Sequence, residues 1–140
     1  MTQIQSNPIQ ITERDKRRLE AMIEEIRRNG RREENLNSLT AELERAKVVV
    51  SEAIPRNFVT MGSLVSIIDQ ESSERLQYRL VYPDQADSKT NRISVLSPIG
   101  AGMLGYQIGD EFEWPVPSGV RRFVIAKVDY QPEAANPYRI

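Results

Sequence analysis

Glu33 and Glu34 stand side by side in Gly30-Arg31-Arg32-Glu33-Glu34-Asn35, next to two arginines. Paired carboxylates can grip a divalent ion or exchange protons, provided both point the same way. On a helix, neighbouring side chains diverge by about 100°, whereas positions three apart share a face. The residue three before Glu34 is Arg31, a cation that pairs with the carboxylate and repels a metal. The spacing suited to chelation is therefore filled by the wrong charge, and an Arg31–Glu34 pair on a solvated turn is the competing reading. The 140 residues contain no histidine and no cysteine. Ser-His-Asp and Cys-His nucleophilic sites, structural zinc sites and disulfides cannot be assembled. Acid–base work falls to carboxylates, lysine or tyrosine.

Three other groupings invite chemistry. Gly100-Ala101-Gly102-Met103-Leu104-Gly105 spells G-x-G-x-x-G. A dinucleotide loop needs a long helix opening at these glycines inside a unit of parallel strands. Gly109-Asp110 reads instead as another turn soon after, so small residues packing a short helix closely on a sheet are the plainer account. Tyr78, Tyr82, Tyr106, Phe112 and Trp114 can line a pocket or fill a core. Asp110, Glu111 and Glu113 fit a turn and the outward face of a strand. Arg14, Lys16, Arg17 and Arg18 form a basic cluster, but Glu13, Asp15 and Glu20 interleave with it, and Arg121-Arg122 lie on a strand. The net charge is −1, from 19 basic and 20 acidic residues. Binding to DNA would thus rest on a local patch, and a solvated face is the plainer account. No run approaches the ~20 apolar residues of a membrane span, and the start MTQIQSNPIQ has no signal-peptide core. A cytoplasmic protein with no membrane contact and no cofactor is expected.

The elements that must position these residues follow from the hydrophobic spacing. Residues 1–10 read as a loose polar arm. Thr12 caps a first helix, with Asp15 in the place of a capping-box acid. Leu19, Met22, Ile23 and Ile26 make its apolar stripe, and Gly30 ends it. A second helix is expected from about Asn35 to Val50, with Leu36, Leu39, Leu43, Ala46 and Val50 as a heptad seam. The two fold back as an antiparallel hairpin. After Pro55 the signals become strands: LVSII (64–68), RLQYRLV (75–81), RISVL (92–96), EFEWPV (111–116) and VRRFVIAKVDY (120–130). Pro98 suits the first position of a short helix lying on that sheet. The tail QPEAANPYRI is expected to run irregularly.

This organisation resembles the Gre-factor family of bacterial transcript-cleavage and elongation factors. The resemblance rests on FVTMGSLVSI, LVYPDQAD, NRISVLSPIGAGMLGYQIGDEFEWPVPSG and VDYQPEAA, and covers roughly residues 36–135. AELERAKVVVSEAIPRNFVTM and YQPEAA are most similar to its short-hairpin branch, the Rnk proteins called regulators of nucleoside diphosphate kinase. It implies an α+β protein: an N-terminal antiparallel helical hairpin over 1–53, then an FKBP-like curved antiparallel β-sheet with one short helix over 54–140. It implies docking on RNA polymerase at the rim of its secondary channel, through Leu96, Ser97 and Pro98. Typical cleavage factors carry an acid where this chain has Leu96.

The hairpin of a cleavage factor presents a tip reading Gly-Asp-x-x-Glu-Asn, whose acids help hold a catalytic magnesium. Here the tip is Arg31, Arg32, Glu33, Glu34 and Asn35 after Gly30, so the first acid is replaced by Arg31. A hairpin of roughly 25 Å would also stop short of the active centre. The resemblance therefore implies a non-enzymatic, polymerase-binding elongation regulator without a metal site. Competing readings are a cleavage factor acting through Glu33 and Glu34, and a prolyl isomerase suggested by the fold alone. An effect on nucleotide metabolism could arise indirectly, through transcription.

Overall fold

The computed structural model describes residues 2–3, 9–30 and 36–135, apart from the side chains of residues 2–3 and 114–116. Helix α1 runs Glu13–Arg28. Thr12 caps it as expected: its Oγ1 accepts from the Asp15 backbone N–H at 3.1 Å. Asp15 does not complete a capping box; its carboxylate turns away, to the Met61 N–H. Glu13 and Asp15 lie in the first turn and Arg27 and Arg28 in the last, as the helix dipole favours. Gly30 ends the helix at φ +72°, a conformation that costs a residue without Cβ little. Leu19, Ile23 and Ile26 form the buried stripe.

Helix α2 is shorter than its heptad spacing predicts. It spans Leu36–Arg45 and buries Leu36, Leu39 and Leu43. Beyond it, Lys47–Val49 is a strand, β3, paired in parallel with β2 (Gln10–Thr12). The Lys47 N–H donates to the Ile9 carbonyl at 2.8 Å. Ala46 and Val50 are thus outside the helix, and Val50 is 47% exposed. The physical reason is twofold. The run Val48-Val49-Val50 is β-branched and prefers extended backbone. The segment entering α1 also supplies a partner edge, which no local spacing reveals. The loose arm expected over residues 1–10 instead runs into β2 at Gln10, and within it β1 (Thr2–Gln3) pairs with a strand of the main sheet.

That sheet contains the five expected strands with small changes of length. They are β4 (Leu64–Asp69), β5 (Arg75–Val81), β6 (Arg92–Ser94), β7 (Glu111–Val116) and β8 (Gly119–Tyr130). Among the described residues the order is β1-β7-β8-β4-β5-β6. Pairing is antiparallel except between β5 and β6, which run parallel. Strand β8 shifts register twice against β4, between Leu64 and Val65 and between Ser66 and Ile67, and such bulges bend a long strand. Alternation puts Val65, Ile67, Leu80, Phe112, Phe123 and Ile125 on the buried face.

Helix α3 (Pro98–Met103) lies on that face, with Met103 fully buried. The tail departs from expectation, since Pro132–Ala135 forms a short helix, α4. Pro132 at its first position and Glu133 in its first turn are ordinary helix-start signals. Gln131 pins it, donating to the carbonyls of Pro55 and Phe58 at 2.8 and 2.9 Å. One continuous buried cluster runs from Leu19, Ile23 and Leu43 of the helices into Leu80, Tyr106 and Phe112.

Candidate partner-binding site

The junction from β6 into α3 carries the residues expected to contact a partner. After Ser94 the chain turns, and the Ser97 N–H donates to the Ser94 carbonyl at 3.0 Å. Ser97 is the N-cap of α3: its Oγ accepts from the Gly100 N–H at 3.0 Å and donates to the Ser94 carbonyl at 2.7 Å. Leu96 is only 9% exposed and packs into the core, its N–H donating to Ser94 Oγ at 2.9 Å. Pro98 occupies the first helical position and is exposed. Of the three, Pro98 offers an open side chain, Ser97 is half-buried, and Leu96 is buried.

The glycine pattern in α3 has a packing explanation. A Cβ built on Gly100 would lie 2.1 Å from the Ser94 carbonyl oxygen, so only glycine lets the helix approach this turn. The helix is six residues long and, among the described residues, no β-α-β unit of the dinucleotide kind surrounds it. Four members of the aromatic set are described. Tyr106 and Phe112 are core residues that meet edge to face at 6.4 Å, and Phe112 stacks on Phe123 at 5.5 Å. Tyr78 and Tyr82 are partly buried against the same cluster. Burial pushes the Tyr82 hydroxyl up to about 12; it lies against the Arg18 guanidinium without completing a well-formed hydrogen bond. Arg18, Met22 and Glu25 of α1 face Tyr82, Pro83 and Asp84 across an open groove of about 730 Å³.

Several of the other charged candidates are engaged structurally. Asp110 accepts from the Gln107 N–H at 2.9 Å and holds a turn. Arg122 pairs with Glu113 at 3.2 Å. Arg121 grips the buried Asp69, with its Nε 2.8 Å from Oδ2, and this hydrogen bond holds Asp69 below the usual carboxylate range. Lys16 pairs loosely with Glu20 at 3.9 Å. Asp15 is buried rather than part of a solvated face. Of the basic candidates, Lys16, Arg121 and Arg122 thus have acidic partners. The tip Arg31, Arg32, Glu33, Glu34 and Asn35 lies outside the described residues, as does its Arg31–Glu34 pair. Among the described residues, no three His, Cys, Asp or Glu side chains are grouped to hold a metal ion, and no helix is long and apolar enough to cross a membrane.

A C-terminal sheet that cradles a short proline-started helix, behind a pair of helices, is the arrangement on which comparison with known proteins converges. The model for the C-terminal domain of the transcription elongation factors GreA and GreB matches residues 54–130, more than half the chain, and the Rnk N-terminus model matches residues 7–49. The chain belongs to the GreA/GreB family, with the N-terminal segment of its Rnk members. It is 37% identical over 103 residues to the regulator of nucleoside diphosphate kinase of Escherichia coli K12, covering 73% of this chain and 76% of that protein. It is also 37% identical over 87 residues to transcription elongation factor GreA of Clostridium botulinum strain Langeland, covering 62% of this chain and 54% of that protein. The match thus spans about half the length of GreA. A solved prokaryotic transcription elongation factor GreA/GreB from Nitrosomonas europaea superposes with a TM-score of 0.75 at 41% identity, over 87% of this chain and 99% of that one.

Proposed function

We propose that this chain is an RNA polymerase-binding regulator of transcription elongation that docks at the rim of the secondary channel and does not stimulate transcript cleavage. The observation that carries the reading is the pairing of matches: a GreA/GreB C-terminal region behind an Rnk-type N-terminal segment. Relatives named as elongation factors support an assignment to transcription, in the cytoplasm, and the solved relative covers nearly its whole length on this chain. Residues 1–53 would serve as the arm and residues 54–140 as the docking unit, an FKBP-like sheet around α3.

The dimensions of the arm support the absence of cleavage. Its described helices have 16 and 10 residues, or about 24 and 15 Å at 1.5 Å per residue. In the tip sequence, Arg31 stands where the resemblance puts the first acid of a cleavage factor. Such an arm would occupy the channel, compete with cleavage factors and alter access for nucleotides.

The test is retention of purified core polymerase by the immobilised chain, with GreA as competitor. Wild type should bind and be displaced. Pro98→Arg keeps the Ser97 cap and changes an exposed side chain, so it should weaken binding by about tenfold, as for a central contact of an interface, with an unchanged circular dichroism spectrum. Absence of wild-type binding, or full binding by Pro98→Arg, would contradict the proposed docking.

A further inference from the structure

Two buried carboxylates, brought from opposite ends of the chain, are seated on consecutive residues of one turn. The Ser63 N–H donates to the Thr60 carbonyl at 3.0 Å, and Gly62 at φ +87° takes the third position, as a type II turn requires. The Met61 N–H donates to Asp15 Oδ2 of α1 at 3.1 Å. Thr60 Oγ1 donates to Glu133 Oε1 of α4 at 2.7 Å, and also meets Ser63 Oγ at 3.0 Å. A Cβ on Gly62 would stand 3.0 Å from the Pro132 ring, so α4 rests directly on the turn. Asp15 is 5% exposed and Glu133 is 9% exposed.

Asp15 sits near the root of the helical arm, three residues after its N-cap, so its charge acts where the arm meets the sheet. Several charged or titratable groups face it. Glu133 approaches from α4 and opposes ionisation; Arg14 and Arg18 of α1 favour it; the Tyr82 hydroxyl lies beyond the end of β5. Burial outweighs these and raises the Asp15 carboxyl to about 6, even against the Met61 hydrogen bond.

We propose that the Asp15–turn–Glu133 joint is a protonation-set latch: neutral Asp15 seats the helical arm firmly on the sheet, and ionised Asp15, opposed by Glu133 in a buried joint, loosens that seat. The proton comes from solvent, and Oδ2 keeps the Met61 hydrogen bond in both states. A raised carboxyl contributes stability that is full below its ordinary value of 3.8 and is lost as pH rises through about 6. The seat is therefore tight in mild acid and looser at neutral pH. This inference does not depend on the partner of the chain.

The lack of cysteine allows paired nitroxide labels at introduced cysteines, Glu24→Cys on α1 and Lys127→Cys on β8. Pulsed electron resonance gives the spread of distances between arm and sheet at about pH 5 and about pH 7.5, on either side of the titration. The expected result is a broader spread at the higher pH, reversible on acidification. In the labelled chain carrying Asp15→Asn, whose amide oxygen still accepts from Met61, the spread should be narrow at both. Glu133→Gln removes the opposing charge and keeps an acceptor for Thr60. It should move the midpoint of the change down by about half a unit or more. Equal spreads at both pH values in wild type would overturn the latch, as would a wild-type response in Asp15→Asn. If Asp15→Asn fails to fold, Glu133→Gln decides: an unmoved midpoint overturns the proposal.

Discussion

Asp69 and Arg121 oppose the pH behaviour of Asp15. Asp69 is buried, accepts from Arg121 and caps the turn after β4 through the Glu71 N–H at 2.9 Å. Its carboxyl is held low, so its contribution is present above the ordinary carboxylate range and disappears as acid protonates it. Asp69→Asn should cost about 1–2 kcal/mol near pH 7, a modest figure because Arg121 is partly solvated. The loss should shrink as the pH falls below the ordinary carboxylate value of 3.8, as urea denaturation near pH 7 and in acid would register. Gly100 makes a second demand at the residue scale. Gly100→Ala drives a methyl into the Ser94 carbonyl at 2.1 Å. It should destabilise the chain by about 2–3 kcal/mol, as overpacking does, and thermal denaturation would report it. What the sequence discloses at this scale is uneven. Thr12, Gly30 and Pro98 announce themselves because caps and stops depend on local backbone. The burial of Asp15 is not announced: its Met61 partner lies 46 positions away.

Elements repeat that contrast. Helix α1 and the five strands were legible because apolar residues recur at one face's period over a long enough run. The end of α2 was not, because Leu36, Leu39 and Leu43 continue smoothly in spacing to Ala46 and Val50. The tie-break came from outside, in the edge offered by β2. That edge yields a prediction. Lys47→Pro removes the N–H that bonds the Ile9 carbonyl and should loosen the root of the arm. Amide hydrogen exchange of residues 9–12 should quicken by about tenfold or more, while the exchange of β4 and β8 stays slow. Helix α4 was missed for the opposite reason: Pro132 and Glu133 are proper start signals, but four residues make too short a run for periodicity to register.

At the scale of the whole molecule, family membership was legible from the segment around α3, where Gly100, Ser97 and Pro98 are fixed by a single close-packed junction. The proposed docking surface follows less directly. A linear motif names Leu96, Ser97 and Pro98 together, yet folding turns the first inward and leaves the last exposed. The arm and the sheet share one buried cluster, so force applied to the arm is transmitted to the sheet through Leu19, Ile23 and the Asp15 joint. In the proposed regulator, whose arm would enter a channel while its other half is held outside, the latch would set how stiffly arm and sheet move together at a given pH.

The most direct test of the central claim is RNA cleavage in backtracked elongation complexes, measured with increasing amounts of this chain in the presence and absence of GreA. The account predicts no cleavage by the chain alone and a progressive fall in GreA-dependent cleavage as it occupies the polymerase. Strong cleavage by the chain alone, abolished by Glu34→Ala, would contradict it.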